Sequence, residues 1–390
     1  MLALVVNPIA GVGGPAGLAG SDGADVQADA AARGGLSRAD ARASDALRVV
    51  AAAHPGATVL TAAGAMGEDA VRRAGLEPRV VFTAAIPTAA VDTTAAVRAV
   101  VEAGARLVLF AGGDGTARDV AAALTPPPAR PVAALGIPSG VKMYSPVFAI
   151  SPAAAGGVAA AWLDEPLPVH EQEVLDVDEA QLRRARVEPQ LFGMLPVPQR
   201  AGRTQARKSP TPAGEHAAVI AAARAATSLF RPGVRYLLGP GGTLAEVGRL
   251  LGVATTALGV DVVLDGRVVR TRASERELLD EISRGPAKAV VTVIGGQGFL
   301  LGRGNQQLSA TVIRALGSDP LIVVAPEQKL VDLHGRPLLV DTGDPEVDAS
   351  LAGYVRVVTG VGTVSLYPVV APEAGASTHP DNAEGALHAT

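Results

Sequence analysis

The chain has 390 residues, a formal net charge of −4 and no cysteine. This length is enough for two domains with separate cores. The missing cysteine excludes disulfides, thiolate metal sites and thiol nucleophiles and fits a cytoplasmic protein, while the slight acidity argues against nucleic acid or a membrane as partner. Hydrophobic residues make up 48% but aromatics only 3%, so the cores must be built from Ala, Val and Leu. With 45 Gly and 29 Pro, loops and turns outnumber what a helix bundle would carry.

Leu2–Val6 is a β-rich run that stops at the turn signal Asn7-Pro8, without the basic flank and long apolar region of a signal peptide. Residues 11–23 are too glycine-rich for a stable helix. Helices are expected at 39–54, 67–74 and 93–102, alternating with strands at 57–61, 79–83 and 107–110. That alternation indicates parallel β-α-β units. Residues 147–163 are apolar but contain Pro152 and Gly156-Gly157, and they fall short of a membrane span of ~20 residues; they read as buried loop and helix. From 169 to 198 strand-like stretches are separated by prolines and charge, and 200–215 reads as an exposed basic loop. Alternation returns with a strand at 236–238, a helix from Gly242 to Leu251, a strand at 255–263, a helix at 275–283, a strand at 289–294, a helix at 309–316 and a strand at 321–325. The small polar residues from Pro372 to Thr390 predict a disordered tail. The fold class expected is α/β: a Rossmann-like parallel domain over 1–165, then a mixed α/β domain with a β-rich start over 166–370, and a cleft between them.

The strongest chemical signal follows the strand at 107–110: Gly112-Gly113-Asp114-Gly115-Thr116. Glycines at a strand-to-helix turn let the backbone approach a phosphate, and the helix start favours the anion. A carboxylate there can bind Mg²⁺ or accept a proton from an attacking hydroxyl; the structural alternative is a helix cap. After the first strand, Asn7-Pro8-Ile9-Ala10-Gly11-Val12-Gly13-Gly14 offers either a second phosphate loop or an Asx turn. Thr243, heading a helix after Gly239-Pro240-Gly241-Gly242, repeats the phosphate logic or is an N-cap. Asp261 is a candidate metal or ribose ligand, or a buried, backbone-satisfied acid. Arg303, Asn305 and Gln306 carry fork and amide groups suited to phosphate, ribose or adenine, or to a turn network. Lys142, after the turn at 136–140, could reach a phosphate as a point charge. The six histidines are scattered, without metal-ligand spacing.

Gly112-Gly113-Asp114-Gly115-Thr116 resembles the signature shared by NAD kinases and the diacylglycerol and sphingosine kinases. The Asn7 loop resembles the Asn-Pro-x-(Ser/Ala)-Gly loop of the same superfamily. Together with Gly20-Ser21-Asp22-Gly23, the 136–145 segment and the glycine-rich 295–307 segment, they look like the ATP-NAD kinase family, in the branch of the acetoin-catabolism protein X group. The similarity runs from Leu2 to about Val358. It implies an ATP-dependent phosphotransferase with Mg²⁺ and with NAD as substrate, phosphorylated at the 2′-hydroxyl of its adenosine ribose. It implies that Asp114 activates the acceptor hydroxyl, and that Asn7, Gly11, Gly13, Gly112, Gly113, Gly115, Thr116, Ser139, Gly140 and Lys142 lie against nucleotide phosphates. Nucleotides are the implied partners, and a homodimer or homotetramer the implied assembly. Two departures stand out. The Asn-acid pair that grips NAD in typical members is missing, since the chain has only Asn7, Asn305 and Asn382. So is the Thr-Pro-Thr-Gly-Ser-Thr loop. They leave open a kinase for another hydroxyl, lipid or small polyol, or a nucleotide-binding regulator.

Overall fold

A computed structural model describes residues 1–18, 28–30, 32–33, 35, 37–140, 143–176, 190–200, 203–204, 216–256 and 258–372. Lys142, the Gly20–Gly23 motif, most of the 200–215 loop and nearly all of the expected tail lie outside the described residues.

The first unit is a parallel sheet of β1 (Leu2–Val6), β2 (Thr58–Ala62), β3 (Glu77–Phe82), β4 (Leu107–Gly112) and β5 (Ala133–Pro138), in the order β3-β2-β1-β4-β5. Its helices are α1 (Ala39–Ala53), α2 (Glu68–Arg73), α3 (Ala90–Glu102), α4 (Asp114–Ala123) and α5 (Pro152–Asp164). Every residue of β1, β4 and β5 is buried. This is why these strands read as unbroken apolar runs rather than alternating ones: a parallel sheet is covered on both faces. Pro78 sits on β3, at the sheet edge, where a missing N–H does least harm. Gly156 lets α5 lie close on α1, since a Cβ there would stand 2.1 Å from the Ala46 carbonyl oxygen. The apolar 147–163 stretch is therefore strand-end packing and helix, as its Pro152 and glycines predict. The chain steps outward from β1 to β3, then crosses back to β4 on the other side of β1. The sheet order thus reverses between β1 and β4, and in such sheets ligands bind outside the carboxyl ends of the strands at that point.

An antiparallel pair, β6 (Val169–Asp176) and β7 (Gln190–Pro198), packs on α4 and β5. The second unit is a mixed sheet of nine strands. Its centre is parallel: β8 (Arg235–Leu238), β11 (Ala287–Val291), β13 (Leu321–Val324) and β15 (Gly353–Gly360). β9 (Asp261–Leu264) and β10 (Arg267–Arg270) extend one side, while β16 (Thr363–Val370), β14 (Leu338–Val340) and β12 (Phe299–Leu301) extend the other. Its helices are α6 (His216–Thr227), α7 (Gly242–Leu250), α8 (Glu275–Ile282), α9 (Ala310–Leu316), α10 (Glu327–Val331) and α11 (Pro345–Leu351). No helix among the described residues is long and apolar enough to cross a membrane.

One expected strand is corrected. In the expected span 255–263 the described residues before Asp261 form no strand, and the strand begins only at Asp261. Asp265 and Gly266, with φ of +48° and +73°, then turn the chain into β10. Asp-Gly between β-branched runs is a hairpin signal in its own right. β5, β10, β12, β14, β15, β16, α6, α10 and α11 were not expected from the sequence; β12 and β14, at three residues each, are too short to show a period.

The loops at the carboxyl ends of β1, β4 and β5 face those of the second sheet. Gln297 Nε2 donates to the Met143 carbonyl at 3.0 Å, Gln306 Nε2 to the Gly140 carbonyl at 3.0 Å, and Arg303 Nη2 to the Ile150 carbonyl at 2.9 Å.

Candidate active site

Three loops of the first unit converge where the sheet order reverses. Asn7 follows β1 directly; its N–H donates to the Ala111 carbonyl at 3.0 Å. Its Nδ2 donates to Thr116 Oγ1 at 3.0 Å, and its Oδ1 accepts from the Ile9 N–H at 3.2 Å. Asn7 is thus an Asx turn and a tie to the second loop at once. Gly112 ends β4, and its carbonyl accepts from the Ser139 and Gly140 N–H groups, each at 2.9 Å. A Cβ on Gly112 would fall 2.2 Å from Thr116 Oγ1, and one on Gly11 (φ +77°) 2.1 Å from the Ser139 oxygen. Gly13 is buried and its carbonyl accepts from Leu18 N–H at 2.8 Å. Gly113 caps α4 in extended conformation, leaving the first N–H groups of that helix without intrahelical acceptors. Gly115 is different from Gly112: a Cβ there would meet nothing within 4 Å. The fold does not require its glycine. A ligand's close approach would.

Asp114 opens α4 and is only 4% exposed. Its Oδ2 accepts from the Tyr144 N–H at 2.6 Å. Its Oδ1 accepts from the Ser145 N–H at 3.1 Å and from Ser145 Oγ at 2.6 Å. Burial raises its pKa to about 7, against the pull of these hydrogen bonds. The carboxylate therefore holds the loop after β5 and does not line the small cavity described below. Ser145 Oγ also lies 2.8 Å from the Leu175 carbonyl, and its one proton can serve only one acceptor at a time. Turning that hydroxyl to Leu175 frees Oδ1 for another donor. An acid titrating near neutrality at a helix N-terminus suits a general base.

The opposite wall is the loop from Gly302. Asn305 stays within it, accepting from the Gly302 N–H at 3.0 Å and donating to the Leu300 carbonyl at 2.8 Å. Of its two sequence readings, the turn network is the one realised. Arg303 stacks 4.1 Å from the Phe299 ring centre and pairs with Asp341 at 2.7 Å. It is structural glue across the cleft rather than an open fork. Gln306 reaches Gly140, bridging the two units. Between Gly11, Ser139, Gly140 and these residues lies a small cavity of about 30 Å³, counted as space open to the centres of water molecules. Arg38 and Arg42 also line it.

Thr243 heads α7 and is 2% exposed; Lys329 Nζ lies 3.3 Å from its hydroxyl and 3.4 Å from that of Thr292. A cation is thus placed beside the glycine loop at the carboxyl ends of β8, β11 and β13. Of the two readings of Asp261, the geometry is that of a buried acid satisfied by its neighbours. Its oxygens accept from Thr256 N–H at 2.5 Å, Thr256 Oγ1 at 2.9 Å and Arg272 N–H at 2.8 Å, so they shape the turn before β9. No group of three or more His, Asp or Glu among the described residues could hold a metal ion.

Comparison with protein families decides the relationship. The ATP-NAD kinase N-terminal domain model matches residues 2–166, and the ATP-NAD kinase C-terminal domain model matches 231–369. The chain belongs to the ATP-NAD kinase family. No curated protein and no solved structure matches it. In this ATP-NAD kinase family member, both matched segments contribute walls to one cleft. Sequence reasoning missed Arg38, Arg42 and Asp341 there, and gave Ser145, at the end of the 136–145 motif, no role of its own. Arg42 sits in the first turn of α1 and Arg38 is its N-cap, so their closeness in sequence was legible but their place at the cleft was not. Asp341, 299 residues away from Arg42, was not.

Proposed function

We propose that the chain is an ATP-dependent kinase that phosphorylates the 2′-hydroxyl of the adenosine ribose of NAD, giving NADP. One observation carries this reading: the Asn7 loop and the Gly112–Thr116 loop are tied together where the sheet order reverses, with an acid titrating near pH 7 at the helix start. The N-terminus of α4 and the glycines beside it receive phosphate oxygens. Asp114 accepts the proton of the attacking hydroxyl once Ser145 has turned to Leu175. Lys329, buried against Thr243 and Thr292 at the carboxyl ends of the second sheet's strands, adds positive charge to the second unit. Mg²⁺ would arrive on the nucleotide's phosphates.

The missing Asn-acid pair favours a second reading, a kinase of the same mechanism for another hydroxyl. A panel of NAD, NADH, diacylglycerol and small polyols offered with γ-labelled ATP separates the two. Label in NADP supports the first reading, and label only in another acceptor replaces it with the second. No transfer to any acceptor, with ATP and NAD both bound, leaves a nucleotide-binding regulator.

A further inference from the structure

The two basic residues that α1 brings to the cleft have no part in the chemistry above. Arg38, the N-cap of α1, and Arg42, in its first turn, line the small cavity together with Arg303 from the second unit. Asp341 pairs with two of these three guanidinium groups, while Arg38 lies 3.8 Å from Glu275 and donates to the Thr342 carbonyl at 3.4 Å. Asp341 Oδ2 is 2.5 Å from Arg42 Nη2 and 2.7 Å from Arg303 Nη1. The pairing is deep: the side chains of Arg42 and Asp341 are 12% and 5% exposed. Yet Arg42 Nε is buried with no hydrogen-bond partner. A buried donor without an acceptor is costly, and this one belongs to a residue lining a cavity edged by Gly11 and Gly140.

We propose that this cavity is a phosphoryl-oxyanion subsite in which Arg42 is the main ligand, and that Asp341 serves as its internal counter-ion until a phosphoryl group takes its place. A guanidinium fork matches a phosphate edge, and the unused Nε–H adds a donor on that side. About 30 Å³ is open to water centres, so the cavity has room for water that a phosphoryl oxyanion can displace. The exchange strands no charge, because Asp341 keeps Arg303 when Arg42 turns away. Arg42 is on α1 and Asp341 follows β14, so the exchange also releases a bond between the two units and links ligand entry to cleft opening. Identifying the oxyanion as a nucleotide's phosphate rests on the kinase reading; the subsite itself does not.

Pyrophosphate titrated calorimetrically into the full chain tests this. Arg42→Gln is expected to weaken binding about tenfold or more, through loss of a charged hydrogen-bonding fork. Arg38→Gln, at the more exposed mouth, weakens it severalfold. Asp341→Asn, which removes the competitor's charge, strengthens it severalfold. Opposite signs for Arg42→Gln and Asp341→Asn distinguish a subsite from a structural latch, for which both changes act alike. Unchanged affinity in both Arg38→Gln and Arg42→Gln, or weaker binding in an Asp341→Asn variant whose circular dichroism is native, overturns the proposal. Should Asp341→Asn not fold, the two arginine variants still decide. Phosphoryl transfer is scored separately. Binding that follows this pattern in a protein that transfers no phosphoryl group removes the kinase reading and keeps the subsite. Transfer with normal pyrophosphate binding in Arg42→Gln does the reverse.

Discussion

Gly115→Ala separates what the fold needs from what a ligand needs. Position 115 is the second residue of α4, its φ is not left-handed, and an added Cβ meets nothing within 4 Å. Alanine there should stabilise the helix by ~0.5–1 kcal/mol, because glycine is the poorer helix former. In a domain of this size that raises Tm by about 1–4 °C. The new Cβ, however, tilts toward the helix N-terminus, into the space a phosphate oxygen would occupy on the free N–H groups. A charged hydrogen bond is worth ~1.5–3 kcal/mol, so displacing one costs roughly 10–100-fold in ATP affinity at about 1.4 kcal/mol per decade. Calorimetric Tm and ATP titration on the same preparation read both effects. Gly112→Ala is the contrast: its Cβ would fall 2.2 Å from Thr116 Oγ1, so stability should drop. A Gly115→Ala protein that binds ATP as the parent does would refute the claim that α4 receives the phosphate.

Asp114 has a folded pKa of about 7 against its usual 3.8. The folded chain therefore holds this proton where the unfolded chain has released it. The contribution is full below about pH 3.8 and is lost as pH rises toward 7; Asp114→Asn should remove that slope from a denaturation series. Catalysis runs the other way, since a base must be unprotonated, so kcat/KM should climb through about pH 7. Ser145→Ala deletes a hydrogen bond that lowers the Asp114 pKa, and the rising limb of that profile should move to higher pH. An unmoved limb would mean that the titrating group is not Asp114. Asp261→Ala should lower Tm by several degrees by freeing Thr256 and Arg272, while the Mg²⁺ dependence of folded enzyme stays unchanged; a shifted Mg²⁺ requirement would restore Asp261 as a ligand.

The first unit was largely legible because buried parallel strands are written as short apolar runs separated by helical spacing. Leu2–Val6 coincides with β1, and 107–110 lies inside β4. The two glycine loops were legible for the same reason, since each follows such a strand. The second unit was less so. Residues 255–263 carry β-branched residues, but the strand cannot begin before Asp261, whose carboxylate gathers Thr256 and Arg272. Among site residues, Asp114, Asn7 and Gly112 could be read locally. The carboxylate's engagement with Tyr144 and Ser145 could not, because it depends on how the loop after β5 returns over α4. Asn305 and Arg303 were chemically plausible ligands, and only packing shows that their groups close a turn and bind Asp341.

A structure of the chain with NAD and a non-hydrolysable ATP analogue bears most directly on the kinase account. It should place the adenosine 2′-hydroxyl within hydrogen-bond reach of Asp114 Oδ1, with Ser145 Oγ turned to Leu175 and the γ-phosphate in line. A ternary complex in which Asp114 keeps all three of its bonds to Tyr144 and Ser145, and the 2′-hydroxyl lies elsewhere, would contradict it.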